Sequence, residues 1–263
     1  MSELAVFGAP YITAGLAVGF VVGLTGVGGG SLMTPLLVLF FGISPVNAVG
    51  TDLLFAAVTK TCGTAMHHLG GTVEWPVMRL LALGSVPASV ITLVALHRFG
   101  ADSAAVSLPI SHVLGYALLL TTVSLLVRRR LLVWARGASF YRWPAAQAGC
   151  TVLLGLLLGV LVTLSSVGAG AIGATVLVLL YPDLPIARIV GTDLAHAVPL
   201  TLVAGLGHLA IGTVNPLLLG FLLIGSLPGI AAGSLLAPRA PERALSVALA
   251  AILLVVGFRL VLR

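Results

Sequence analysis

Long apolar stretches, separated by short polar segments, follow one another along almost the whole chain. A helix that crosses a bilayer needs about 20 predominantly apolar residues. Six stretches reach this length without interruption, and each predicts one transmembrane helix. They cover residues 46–70, 76–98, 104–127, 188–211, 215–237 and 243–262.

Two further apolar stretches, 11–41 and 144–181, are too long for one span and too short for two. The first is interrupted at 26–30 by Gly-Val-Gly-Gly-Gly and the second at 165–170 by Ser-Ser-Val-Gly-Ala-Gly. Adjacent glycines disfavour a continuous helix. We therefore expect each stretch to form two short helices that meet at a broken centre.

Composition and charge support a membrane protein. Hydrophobic residues make up 59% of the chain and charged residues 8%, whereas soluble domains are typically about 25% charged. The net charge of +6 lies mainly between the spans, which favours the positive-inside rule over nucleic-acid binding. Cys62 and Cys150 lie within apolar stretches, so we expect no disulfide framework. No basic region precedes the first apolar stretch, so we expect no cleaved signal peptide.

Four short signatures occur twice, in the same order and at nearly the same offset. They predict that the chain is an internal duplication within a single transmembrane domain over 1–263. Repeat one covers about 10–128, a linker about 128–143, and repeat two about 144–263. The matched pairs are Gly-Thr-Asp-Leu at 50–53 and 191–194, Gly-Thr-Val at 71–73 and 212–214, Gly-Ser-x-Pro at 84–87 and 225–228, and His67 with His208.

The arginines between the spans predict how the two halves are oriented. Five arginines between 128 and 142 place the linker in the cytoplasm. If each broken stretch is a re-entrant hairpin, each half has three full crossings and the halves are inverted. Arg188, Arg239 and Arg243 then lie in the cytoplasm, and both termini lie outside. If each broken stretch crosses once, the halves are parallel and these three arginines lie outside.

The charges favour the first arrangement. The predicted fold is an all-α polytopic membrane protein with two inverted-topology repeats, each a re-entrant helix hairpin plus three transmembrane helices.

At these motifs the chain resembles the TauE/SafE sulfite exporter family of bacterial membrane permeases, over about 23–262. The resemblance implies a multi-pass protein of the bacterial inner membrane that carries a small anion such as sulfite, thiosulfate or sulfoacetate. The sequence departs from the family pattern at Asp52 and Asp193, where a serine is common, and at Ala169, Ala171 and Thr175. The motifs that carry the resemblance are Gly28-Gly29-Gly30 before Pro35, Gly50-Thr51, His67 before Gly71-Thr72-Val73, and Gly84-Ser85-Val86-Pro87.

The two glycine-rich breaks are candidate anion sites. A helix that starts inside the membrane has unsatisfied N–H groups and a partial positive charge at its N-terminus, and glycines let an anion approach the backbone. The alternative is a tight crossing between helices. No Lys-Ser or Lys-Thr follows the glycines, which argues against a nucleotide loop. The candidate residues are Gly28, Gly29, Gly30 and Ser31 in the first break and Ser166, Gly168 and Gly170 in the second.

Three charged residues lie inside predicted spans. Lys60 is near the middle of 46–70, where a lysine is a functional candidate by default. Two roles are predicted for its ammonium: attraction of an anion, or neutralisation of the Asp52 carboxylate. Asp52 and Asp193 follow Gly-Thr near a predicted helix start, where a carboxylate caps free N–H groups or, alternatively, carries a coupled proton. Thr51 and Thr192, their neighbours in the motif, are included as candidate binding residues.

Histidines supply the remaining candidate residues. For His67 and His208 the sequence leaves two roles open: a relay for protons, or a hydrogen bond to a carbonyl of a neighbouring helix. Adjacent residues on a helix point in different directions, so His67 and His68 are not expected to bind a metal together. We expect no metal, no cofactor and no catalytic residue.

The sequence therefore predicts a secondary transporter of small anions, with the lipid bilayer as its surroundings and no nucleic-acid partner. Alternating access would rock one half against the other around a midplane site. A passive anion channel is the main alternative, and an intramembrane enzyme or a cation or metal carrier is a weaker one. Glycine spacings would pack helices within one chain or between two, so a homo-oligomer remains open.

Overall fold

The structure is a computed structural model that describes residues 2–25, 30–69, 71–100, 104–137, 144–236 and 242–262. These residues form α-helices connected by short turns, without a strand among them. The helices are α1 (Ser2–Thr25), α2 (Gly30–Leu39), α3 (Pro45–Leu69), α4 (Trp75–Phe99), α5 (Ala104–Gly137), α6 (Pro144–Ser165), α7 (Ile172–Leu180), α8 (Ile186–Ala210), α9 (Pro216–Leu236) and α10 (Glu242–Val261).

The helices confirm a polytopic α-helical membrane protein. Each predicted span corresponds to one helix, and among the described residues five helices are long and apolar enough to cross a bilayer. α5 continues to Gly137, into the segment predicted as a linker. That segment is rich in Arg, Leu and Ala, which are strong helix formers, so the helix does not end where the apolar stretch ends.

The two broken stretches are less symmetric than predicted. α1 has 24 residues and α6 has 22, whereas α2 and α7 have only 10 and 9. The prediction of two short helices is therefore wrong for the first helix of each pair. The glycine-rich segments lie beyond the middle of their stretches, and α1 also begins at Ser2 and continues through Pro10.

Both short helices run back beside their partners, α2 to the level of Tyr11 within α1 and α7 to the first turn of α6. The rings of Tyr11 in α1 and Phe41 after α2 have centroids 4.7 Å apart. In the second half, Gln147 donates to the carbonyl of Leu180 at 2.6 Å, and the hydroxyls of Thr151 and Tyr181 are 2.8 Å apart. This is the course that the re-entrant prediction describes.

The two halves interlock. α1 runs along α9, and α6, the counterpart of α1, runs along α4, the counterpart of α9. Glycines form both contacts: a Cβ at Gly225 would lie 1.9 Å from the carbonyl oxygen of Ile12, and one at Gly84 would lie 2.0 Å from that of Val152. Each hairpin therefore packs on a helix of the opposite half, with backbones in direct contact.

Equivalent helices of the two halves run antiparallel where they meet. Near the start of α3, Gly50 contacts His208 near the end of α8, and Leu54 contacts Gly205. α5 and α10 also pack together, with Gly115 against Val261 and Leu119 against Gly257. Inverted halves predict that equivalent helices run antiparallel. The duplication itself and the orientation of the halves in the membrane remain predictions.

Polarity is distributed as a lipid environment requires. Large apolar side chains such as Ile91, Leu83 and Val255 are more than half exposed, whereas many Ser, Thr, Asp, Lys and His side chains are buried. Lipid solvates the apolar exterior, so polar groups must find their partners inside the bundle. The functional site is therefore to be sought in the interior.

Candidate functional site

The antiparallel pair of α3 and α8 brings four ionisable side chains into the interior. Asp52 and Lys60 come from α3, and Asp193 and His196 come from α8; none is more than 4% exposed. Lys60 lies within electrostatic range of both carboxylates and of the His196 ring. We call these four residues the buried centre.

Asp52 binds the short helix of its own half. Its Oδ2 accepts a hydrogen bond from the backbone N–H of Thr34 at 3.2 Å and a short one from the Thr34 hydroxyl. The Ser166 hydroxyl lies beside the same carboxylate. Within the described part of the chain, neither Asp52 Oδ1 nor Ser166 Oγ has a hydrogen-bond partner.

The structure corrects the expectation that the two aspartates cap their own helices. α3 begins at Pro45 and α8 at Ile186, so Asp52 and Asp193 lie about two turns inside them. The helices start earlier because Pro45 and Pro185 set the boundary before the Gly-Thr-Asp motif. Each carboxylate instead faces the first turns of the short helix of its half. On the second side, a Cβ at Gly173 of α7 would lie 2.1 Å from Asp193 Oδ1.

Lys60 connects the two halves at the buried centre. Its Nζ donates to the carbonyl oxygen of Ala169 at 3.2 Å. Ala169 belongs to the break between α6 and α7, which sequence reasoning selected for its glycines. An ammonium has three N–H groups, so this bond leaves two for other acceptors. The ammonium also interacts with Asp52, so the two predicted roles of Lys60 are not exclusive.

In the second break, the amides at the start of α7 are bonded locally, and one hydroxyl is left without a partner in the part of the chain that the structure describes. Ser166, Gly168 and Gly170 all have positive φ, of 57°, 126° and 125°. The N–H groups of Ile172 and Gly173 both bond the carbonyl of Gly168 at 3.2 Å, so they are satisfied locally. Ser166 is the candidate in this break that keeps an unpartnered donor among the described residues.

The first break is described only in part. Gly28 and Gly29 lie outside the described residues, and Gly30 begins α2. Ser31 follows it, 6% exposed. Over the residues that the structure covers, its hydroxyl has no hydrogen-bond partner. Ser31, at the start of α2, is therefore another buried hydroxyl without a described partner, like Ser166.

Thr51 and Thr192 do not belong to the buried centre. Thr51 accepts the backbone N–H of Asn215 at 3.2 Å, and Thr192 accepts that of Glu74 at 2.9 Å. Both N–H groups belong to residues just before a helix of the opposite half. The Gly-Thr motif of each half thus holds the turn that contains the Gly-Thr-Val motif of the other half. This structural link explains why the two motifs recur together.

His208 forms a hydrogen bond to a carbonyl of a neighbouring helix, which is one of the two roles that the sequence left open. Its Nε2 is 3.0 Å from the carbonyl oxygen of Thr163 in α6, and its Nδ1 is 2.8 Å from the Thr213 hydroxyl. The carbonyl accepts only, so Nε2 carries the proton. Both ring nitrogens are satisfied, which argues against a proton relay. The side chain of His67 lies outside the described residues.

His196 was not among the residues predicted to bind the anion, although it lies at the flank of the helix stripe that contains Asp193. It is fully buried, and its Nε2 is 2.8 Å from the Ser85 hydroxyl of α4. Its Nδ1 has no hydrogen-bond partner within the described chain. The available signal was its position three residues after Asp193, on the same helix face. The repeat concealed it, because the equivalent residue of the first half is the apolar Phe55.

The tautomer of His196 follows from Ser85. Across the described residues, the His196 ring is the hydrogen-bond partner that the structure offers the Ser85 hydroxyl. If Ser85 donates to Nε2, its hydrogen is satisfied and Nδ1 carries a proton. The ring then has an N–H that is unpartnered within the described chain, and it lies within electrostatic range of Lys60. Together with Lys60 and Ser166 it forms a set of donors for a small acceptor ligand.

The described residues contain no group of three or more His, Cys, Asp or Glu side chains placed to hold a metal ion. What they bring together is an ammonium, an imidazole, two carboxylates and unpartnered hydroxyls. Buried polar groups are normally hydrogen-bonded, so several unpartnered ones in one region indicate a place for a polar ligand.

Comparison with known proteins gives a consistent result. The family model described as "Sulfite exporter TauE/SafE" matches residues 11–260. The "Probable membrane transporter protein YjnA" of Bacillus subtilis (strain 168) is 39% identical over 251 residues, covering 95% of this chain and 98% of that protein. The "Probable membrane transporter protein YdhB" of the same organism is 25% identical over 217 residues, covering 82% and 84%. No solved structure is significantly similar to the chain.

Proposed function

Because this chain belongs to the sulfite exporter TauE/SafE family of membrane transporters, we propose that it is a secondary transporter of small anions. Sulfur oxyanions and organosulfonates such as sulfite, thiosulfate and sulfoacetate are the proposed substrates. The bacterial inner membrane is the proposed location. The related proteins are named as membrane transporters without a substrate, so the substrate class rests on the family description and on the buried centre.

Lys60 is the observation that carries the proposal. A buried lysine inside a membrane bundle is unfavourable unless its charge has a use or a partner. Here the ammonium reaches the second break and bonds its backbone, while two N–H groups remain for a ligand. The unpartnered Ser166 hydroxyl lies in the same break. These donors match an anion with several acceptor oxygens.

The proposed movement differs from the rocking of one sequence half against the other. Backbone contacts join α1 to α9 and α4 to α6, and separating the halves would break both. We therefore propose that each of these pairs moves as one unit around the α3–α8 pair. Access to the buried centre would alternate between the two faces of the membrane.

Anion binding to purified Lys60→Ala tests the proposal. The melting temperatures of the wild type and the variant would be recorded with sulfite, sulfate, thiosulfate, sulfoacetate, acetate and chloride. A ligand that binds the folded state raises the melting temperature. We expect a sulfur oxyanion to stabilise the wild type. Affinity should fall about tenfold or more in the variant, because hydrogen bonds to charged groups contribute about 1.5–3 kcal/mol.

His97→Ala is the matched control, because His97 lies exposed near the end of α4. It should bind like the wild type. If Lys60→Ala binds the anion normally, Lys60 does not bind the anion and serves only to neutralise the Asp52 carboxylate. Absence of stabilisation by any anion of the panel would overturn the proposed function. Counterflow between labelled anion pools in proteoliposomes would separate a carrier from a channel.

A further inference from the structure

The buried centre contains one more carboxylate than ammonium. In this centre the carboxylates of Asp52 and Asp193 are opposed by the ammonium of Lys60. α3 also packs against α2 and α9, which contain no titratable residue, and against α5 and α6. The titratable groups on α8 are Asp193, His196, His208 and Arg188, which pairs with Glu74. Those on α6 and α5 are Cys150 on α6 and, on α5, His112 in a surface cleft, the exposed Tyr116 and arginines from 128 onward. On α3 itself, the side chains of Cys62, His67 and His68 lie outside the described residues.

An anion entering this centre adds negative charge where carboxylates already exceed the ammonium. Charge buried without compensation in a medium of low polarity is strongly unfavourable. A proton bound by one carboxyl removes the excess. Anion binding and proton binding at this centre must therefore favour each other.

The geometry selects Asp52 as the group that takes the proton. Its Oδ2 is occupied by the two donors of Thr34, whereas Oδ1 has no hydrogen-bond partner in the described region. The Ser166 hydroxyl, which lies beside the same carboxylate, has none there either. A proton on Oδ1 can be donated to Ser166 Oγ, which satisfies both atoms. The hydroxyl hydrogen of Ser166 is then released to donate to the anion. When Asp52 is ionised, the hydroxyl hydrogen of Ser166 is attracted to Asp52 Oδ1 and is not available to the anion.

We propose that Asp52 takes up one proton with each anion and that Ser166 transmits this protonation to the ligand, so that the protein is an anion–proton symporter. The inference rests on the proposed function as an anion transporter. Proton and anion travel in the same direction, so an inward proton gradient drives anion uptake.

Proton uptake on anion binding tests this inference directly. Purified full-length protein in weak buffer would be titrated with thiosulfate, sulfate and sulfoacetate, whose charges do not change near neutral pH, while a pH indicator counts the protons. About one proton should be taken up for each anion bound. Affinity should fall about tenfold for each unit of pH rise across the range in which Asp52 ionises. Asp52→Asn should bind without proton uptake, with an affinity independent of pH.

Asp183→Asn, which removes an exposed carboxylate between α7 and α8, is the matched control and should keep the uptake. Binding without proton uptake by the wild type would overturn the inference and leave the proposed function standing. Loss of uptake in Asp193→Asn but not in Asp52→Asn would overturn the assignment. If Asp52→Asn does not fold, Ser166→Ala replaces it and should weaken the pH dependence. Absence of binding by these three anions and of stabilisation by sulfite would overturn the proposed function itself.

Discussion

At the scale of single residues, unpartnered buried atoms are the most informative feature of the bundle. Most buried polar atoms of a folded protein are hydrogen-bonded. Here Asp52, Ser166 and His196 each have one buried polar atom without a partner in the described part of the chain. Each lies near Lys60 or near the break that Lys60 contacts. An unsatisfied buried donor costs about 1–3 kcal/mol, so these atoms lower stability in the absence of ligand.

The double variant Ser85→Ala/His196→Phe tests this interpretation, because it copies the phenylalanine found at the equivalent position, Phe55. It removes a buried hydrogen-bonded pair together with the unpartnered Nδ1. We expect the melting temperature without anion to equal or exceed that of the wild type, and anion affinity to fall about tenfold. Thermal unfolding with and without thiosulfate measures both quantities.

His208→Phe provides the contrasting case. It breaks two satisfied hydrogen bonds, so it should lower the melting temperature without anion. If Ser85→Ala/His196→Phe behaves in the same way and binds anion normally, His196 is structural.

At the scale of secondary-structure elements, glycines determine how closely helices pack. Lipid solvates apolar side chains as well as another helix does, so small residues that permit backbone contact decide which helices pair. Gly225, Gly229 and Gly233 of α9 face the backbone of α1, and Gly15, Gly19 and Gly23 of α1 face that of α9. The parallel α1–α9 contact is therefore continuous over almost the full length of both helices.

Alanine substitutions in α9 test this contact with an internal control. Gly225→Ala places a Cβ 1.9 Å from a backbone oxygen, and overpacking of this kind costs about 1–3 kcal/mol. Gly220→Ala in the same helix has no atom within 4 Å of the new Cβ and should be neutral or slightly stabilising. Melting temperatures of both variants provide the measurement. Equal stability would mean that α1 and α9 can separate without loss.

At the scale of the whole molecule, one ion pair marks a difference between the two faces. Arg188 at the start of α8 pairs with Glu74 just before α4, which links the two halves. The equivalent positions on the opposite side are Asn47 and Asn215, which carry no charge. Both partners of the pair are partly exposed, so it contributes little to stability. Its position suits a contact that opens and closes during transport.

Locking this contact tests alternating access. In a protein whose two native cysteines are replaced by alanine, Glu74→Cys/Arg188→Cys would be joined by a short thiol cross-linker. We expect cross-linking to abolish counterflow of labelled anion in proteoliposomes, and the same protein without cross-linker to retain it. Undiminished counterflow after complete cross-linking would show that α4 and α8 need not separate at this face.

Much of the fold was predictable from the sequence, and less of the site. Gly-rich breaks located both hairpins, and hydropathy located the spans and the buried charges Asp52, Lys60 and Asp193. Thr51 and Thr192 were grouped with them because they share a motif, yet they hold turns of the opposite half. His196 was omitted because the equivalent residue is Phe55. Sequence proximity is a weak guide here, because residues adjacent on a helix point in different directions.

The sequence by itself determined which segments lie in the membrane, where their helices break and which charges the bilayer encloses. These properties depend on the local sum of side-chain hydropathy and on glycine at particular positions. Only the tertiary structure decided that α1 packs on α9 and α6 on α4, that Lys60 reaches the break of the other half, and that Ser166 faces Asp52. An apolar helix is equally compatible with lipid on every face, so its partners depend on shape and hydrogen bonding between residues far apart in the chain.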